Sequence, residues 1–197
     1  ETGDPHLSGS WLARSAVLDI SNGDVREGRA KLHRALRNAE RRGDVQLQVA
    51  VLSHLATSAR HDGRRVQATS YAERAASAAE QIGDPLLISD AAHELAIDYA
   101  EADRFEEAVA LLRHATEKAV GLHRARIMAA LGAVLLSRMR AARAMDASTS
   151  EDESAWLREA EQILLNAVTE LLEYGDEDWA GRGVRNLRVV WRSAGQE

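Results

Sequence analysis

The chain has 197 residues, a formal net charge of −6, two prolines, one phenylalanine and no cysteine. The missing cysteines exclude a disulfide framework, a thiol nucleophile and cysteine-ligated zinc, and the acidic balance argues against a general nucleic-acid binder, which carries a basic footprint. No apolar run approaches the roughly 18 residues of a membrane span, and the opening "ETGDPHLSGSW" lacks the basic start and apolar stretch of a signal peptide, so the expected compartment is the cytoplasm, away from any membrane.

Alanine, leucine, arginine and glutamate are abundant, and they lose little freedom in a helix, which points to an all-α chain. Only Lys31 and Lys118 are lysines, so the positive charge is almost wholly arginine. Coding bias is the first explanation and bidentate recognition the second.

Self-similarity organises the elements. Gly-Asp pairs fall at Gly3-Asp4, Gly43-Asp44 and Gly83-Asp84, 40 residues apart; the next beat reads His123-Arg124, and the signature resumes at Gly175-Asp176, 52 residues further on. The first unit, residues 3–42, is expected to hold helices at 5–21 and 25–41 with Asn22-Gly23 between them. The second, 43–82, holds 44–60 and 64–81 around Asp62-Gly63. The third, 83–122, holds 84–101 and 104–120 around Ala102-Asp103. The fourth, 123–174, holds 124–145 and 151–173, and a final helix covers 176–193. Asp after Gly suits an N-cap, proline follows it in Asp4-Pro5 and Asp84-Pro85, and the glycine suits the left-handed residue that ends the previous helix. Two small-residue series keep the same time, Gly28/Ala68/Ala108/Ala160 and Ala35/Ala75/Ala115/Ala167, and mark where paired helices approach closely.

The segment "HELAIDYAEADRFEEAVALLRHA" resembles the tetratricopeptide repeat through Leu95-Ala96, Tyr99, Phe105, Ala108, Leu112 and Ala115, and the second unit through Leu55-Ala56, Gly63, Ala68, Ala72 and Ala75. The first unit is degenerate, with Ser15-Ala16 and Gly28 in those places. The unit exceeds the family's usual length of about 34 residues and is similar to the longer-helix versions in kinesin light chains and in the helical arms of large bacterial ATP-dependent regulators. The resemblance implies one repeat domain over 1–197, a right-handed α-solenoid of antiparallel helix pairs with about nine helices. Because residues 1–4 read as the close of one unit and the start of the next, the chain is expected to be a piece of a longer array, unless Glu1 and Thr2 are foreign and the first helix, with Leu7, Trp11, Leu12, Val17, Leu18 and Ile20, is a true cap.

The fourth unit is irregular. Leu131-Gly132 looks like the family's Leu-Gly pair, four residues ahead of strict phase, so the helix is expected to slip by a turn and an insertion near 144–155 to take up the extra residues. Ser150-x-x-Glu153 reads as a capping box for the following helix, with Glu151, Asp152 and Glu153 complementing its dipole. Trp156 is expected to pack the loop down. Trp179, in phase with Leu7, Leu47 and Leu87, and Trp191, in phase with Tyr99, are assigned to packing.

Catalytic patterns are missing from the sequence. His93-Glu94 starts like a zinc-protease helix, but Ile97 stands where the second histidine must come, and His54 and His61 share a face with no carboxylate at ligand spacing. "GRGVRN" has neither the lysine nor the preceding strand of a phosphate loop. No enzyme, cofactor or metal is expected.

The tetratricopeptide resemblance implies that the first helices of successive units line a concave groove for a protein or peptide segment. Its groove positions map to Arg14 and Val17; to Ser53, His54, Thr57, Arg60 and His61; to Asp90, His93, Glu94 and Ile97; and to Arg182, Arg185, Asn186, Val189 and Arg192. Ala13 and Val17 stand where the family's chaperone-tail clamp needs lysine and asparagine, so that clamp is not implied. Acidic segments could dock on Arg60 or Arg185 through paired hydrogen bonds, or these arginines are a solvated face. The expected role is a non-catalytic binding scaffold, the interaction or sensor arm of a larger bacterial regulator. A small-ligand or signal-peptide sensor and a structural module that self-associates through its end faces are the alternatives, with nucleic-acid binding by "GRGVRNLRVVWR" a distant fourth.

Overall fold

A computed structural model of the chain describes residues 5–194. The Gly3-Asp4 beat, with Glu1 and Thr2, lies outside them. The described residues form nine helices and no strand, and the chain divides into two compact units at residues 1–87 and 88–197.

The first unit contains α1 (Pro5–Ser21), α2 (Val25–Arg42), α3 (Val45–His61) and α4 (Arg65–Ile82). Three-residue turns reverse the chain inside each pair, so α1 packs on α2, α3 on α4, and α2 on α3. Gly43 ends α2 at φ 66° and Gly83 ends α4 at φ 72°, a left-handed backbone that favours glycine, and Asp44 then accepts a 3.0 Å hydrogen bond from the Leu47 amide. Ala16, Leu32, Ala35, Val51, Leu52, Leu55 and Ala75 build the core. At Gly28 a Cβ would stand 2.6 Å from Ile20 Cγ1 and 2.7 Å from the Ala16 carbonyl oxygen, so only glycine lets α1 and α2 approach this far. Lys31 ties the same pair, donating to Asp19 Oδ2 at 2.6 Å and to Ser15 Oγ at 3.1 Å.

α5 (Pro85–Glu101) opens at the division, and α6 (Phe105–Lys118), α7 (Gly121–Ala144), α8 (Ser150–Glu173) and α9 (Glu177–Ser193) complete the second unit. Here α7 packs on α6, α8 and α9, and α8 on α9, around Ala125, Met128, Ala129, Ala167, Leu171 and Ala180. Both small-residue series are buried throughout, Ala68, Ala108, Ala160, Ala35 and Ala167 to 0 % exposure. Asp103 replaces the mid-unit glycine at φ 58°, a conformation that aspartate tolerates better than most residues.

The extra residues of the fourth unit lengthen α7 and α8 to 24 residues each and leave only 145–149 as a loop. The cap of α8 differs from the expected one. Thr149, not Ser150, is the N-cap: Thr149 Oγ1 accepts from the Asp152 amide at 3.1 Å, and Asp152 Oδ2 accepts from the Thr149 amide at 3.0 Å. Glu153, the residue expected to close the box, instead accepts from Arg143 at 2.6 Å and from Ser148 Oγ at 2.8 Å, and so pins the loop to the end of α7. Trp156 is half-buried beneath the Arg138 guanidinium, 4.5 Å from its ring centre.

Candidate functional site

Arg14 and His54, which lie one unit apart in the sequence, line one groove of about 630 Å³ between α1 and α3. Ala13, Val17, Leu18, Leu47 and Ala50 form its apolar walls, while Arg14 and His54 are exposed on its border. The groove follows from the repeat: α1 and α3 are both first helices of their pairs, and their small side chains Ala13 and Ala50 leave the space open. Thr57 lies farther along α3 with its hydroxyl donated to the Ser53 carbonyl at 3.1 Å. Arg60 is half-buried and His61 exposed at the end of that helix.

In the second unit the first helices α5, α7 and α9 bring a different set together. His93 of α5 meets Trp179 of α9 edge to face, with ring centres 5.1 Å apart. The Arg182 guanidinium lies 5.1 Å above the same indole and that of Arg126, from α7, 6.0 Å away. Arg126 is held by Asp176, the N-cap of α9, through bonds of 2.7 Å from Nε and 2.6 Å from Nη2. Glu94 Oε1 stands 3.9 Å from His93 Nδ1, and exposed Asp90 stands 4.0 Å from His123 Nδ1. His93 and Ile97 also line a groove of about 310 Å³ against Ala130, Val134 and Ser137 of α7. Arg185 falls elsewhere, beside α8 with Leu172 and Val184, and exposed Arg192 is one turn from the end of α9, while Asn186 is half-buried.

Arg126 and His123 were not among the mapped positions, because the phase of the fourth unit could not be fixed from spacing. Trp179 does pack on the core, as its register requires, yet remains half-exposed and offers its ring to the arginines. Its basic neighbours at 126 and 182 were the readable signal. Among the described residues no group of three histidines, aspartates or glutamates could hold a metal ion, and no helix is long and apolar enough to cross a membrane.

No protein-family model and no curated protein matches this chain. The crystal structure of BtubC (BKLC) from P. vanneervenii is similar to it over 98% of this chain and 85% of that one, with a TM-score of 0.59 at 19% sequence identity. That likeness is one of fold, and it shows that the chain has a helical repeat-like, all-α architecture.

Proposed function

We propose that the chain is a non-catalytic scaffold of tetratricopeptide-like helix pairs that binds a protein or peptide segment on its first-of-pair helices. The observation that carries this reading is the groove between α1 and α3, where Arg14, Val17 and His54, mapped from separate repeats, line one apolar-walled space with a cation at its border. Rigid helices present these side chains already ordered, so little entropy is lost on the receptor side when a segment docks. The arginine in such a groove selects carboxylate-bearing segments. By the same resemblance of its repeats, the chain serves as the interaction or sensor arm of a larger bacterial regulatory protein.

Selection of a displayed random-peptide library on the chain tests the proposal. Enriched peptides should share an acidic residue beside apolar ones and should bind Arg14→Glu/His54→Glu at least tenfold more weakly, about 1.4 kcal/mol. Enrichment that is indifferent to both substitutions would sink it. A second reading, small-ligand sensing, draws on the volume of the groove, about 630 Å³, which falls in the range of small-molecule sites. Saturable thermal stabilisation by a small acid, absent in the same variant, would favour it.

A further inference from the structure

Gly181 is a helical glycine that the packing of its own chain does not require. At Gly9, Gly28, Gly132 and Gly183 a Cβ would come within 2.8 Å or less of a neighbouring atom. At Gly181 it would meet only Arg185 Nη1, at 3.7 Å. Glycine inside a helix weakens it, so an open glycine asks for a partner that comes close. Gly181 lies in a groove of about 360 Å³ between α8 and α9, with Leu172 and Val184 on its walls and Arg185 and Arg188 beside them. Leu172 is 57% exposed there.

The repeat says what shape this groove takes. Counted through the repeat, Gly181, Val184 and Arg188 correspond to Gly9, Leu12 and Ala16 of α1, to Val49, Leu52 and Ala56 of α3, and to Ser89, Ala92 and Ala96 of α5. All nine equivalents are buried except Leu12, which is half-buried. In α1 the second helix of the pair covers this face, with Gly28 seated on Ala16 and Ile20. The surface is therefore shaped for a helix. Its chemistry differs at one position: Ala16, Ala56 and Ala96 are at most 1% exposed, while the equivalent Arg188 is exposed. A wholly apolar helix laid here would bury that guanidinium without a counter-charge, which is costly.

We propose that the α8–α9 groove docks an acidic amphipathic helix of a partner protein. Its apolar stripe packs on Leu172, Gly181 and Val184, and its carboxylates pair with Arg188 and Arg185. This surface is separate from the α1–α3 groove proposed above. The test measures fluorescence anisotropy of a labelled amphipathic helical peptide with a leucine/alanine stripe and glutamates opposite, beside a counterpart with lysine for every glutamate. The acidic peptide should bind the full chain, with affinity about tenfold lower for Arg188→Glu and for Gly181→Leu and unchanged for Arg14→Glu. Arg188→Ala, a milder change checked by circular dichroism, should weaken binding in the same direction. Equal binding of both peptides, binding of neither, or wild-type affinity in both groove variants would overturn the proposal. So would a concentration-dependent dimer in sedimentation that Gly181→Leu abolishes, since a second copy would then be the occupant.

Discussion

Gly132 of α7 lies so close to Leu164 of α8 that a Cβ on it would stand 2.5 Å from Leu164 Cγ and 2.6 Å from Cδ2. Leu164 is itself fully buried, so it has nowhere to retreat. Gly132→Val should therefore lower stability by about 1–3 kcal/mol through overpacking, and the melting temperature by roughly 2–4 °C per kcal/mol for a chain of this size. Thermal unfolding followed by circular dichroism measures it. Trimming the partner should relieve the clash, so Gly132→Val with Leu164→Ala should lose less than the sum of the two single changes. Strictly additive losses would show that the two residues are not in conflict.

The cap of α8 carries the next prediction. Thr149→Ala removes the hydroxyl that accepts the Asp152 amide and should cost about 1 kcal/mol, whereas Ser150→Ala should cost little. Hydrogen bonding from Thr149 holds the Asp152 carboxyl below its ordinary range, and the Arg143 and Ser148 bonds do the same for Glu153. Depressed carboxyls stabilise the fold above their unfolded values, near pH 4, and that support is lost as pH falls through the lower folded values. Amide exchange in the first turn of α8 should accelerate in that acid window, sooner in Thr149→Ala than in wild type. Equal protection in the two proteins would remove the cap from the account.

Much of the fold was legible because the same glycine and aspartate recur where the backbone must turn. Gly43, Gly83 and Gly175 all adopt positive φ, at 66°, 72° and 72°, and the helices begin and end beside them. Where the beat failed, so did the detail. The helix expected to run to 120 ends at Lys118, because Ala119 and Val120 are extended and α7 opens at Gly121 instead of 124. The capping box was misplaced by one residue, since Thr149/Asp152 and Ser150/Glu153 both fit the pattern. Only the reach of Arg143 and Ser148 to Glu153 separates them, and that is a tertiary fact. Arg14 and His54 were readable as groove residues because register alone places them on one face. The Arg126–Trp179–Arg182 cluster needed α5, α7 and α9 to converge, and no local pattern encodes that.

Trp191 Nε1 donates to Glu161 Oε1 at 2.7 Å, linking α9 back to α8. The ring is half-buried, so its N–H needs a partner. Glu161→Ala should cost about 1 kcal/mol, and Glu161→Gln, which keeps an acceptor, clearly less. Trp191→Phe should make Glu161→Ala nearly silent. If Glu161→Ala costs as much in the Phe background as in wild type, the bond contributes nothing.

His33 is the histidine whose surroundings most clearly oppose its charge. Burial lowers its pKa first, and the guanidinium groups of Arg37, Arg29 and Arg64 lower it further. Tyr71 lies on one side, with ring centres 6.2 Å apart, and gives no counter-charge. Asp62 answers two of the arginines, at 2.5 Å from Arg29 and 3.0 Å from Arg64. The unfolded chain therefore takes a proton on His33 at higher pH than the folded one, from about pH 6.5 downward. Where the unfolded state binds more protons, stability rises with pH, so it should decline as pH falls below about 6.5 and stop declining below the folded pKa. Imidazole titration by NMR should place His33 below the other histidines that can be followed. Asp62→Asn leaves the arginines uncompensated and should push it lower still, while His33→Gln should flatten the acid side of the stability curve relative to wild type. A His33 pKa at or above the unfolded value would mean that the arginines are screened at this site, and the predicted slope would vanish with it.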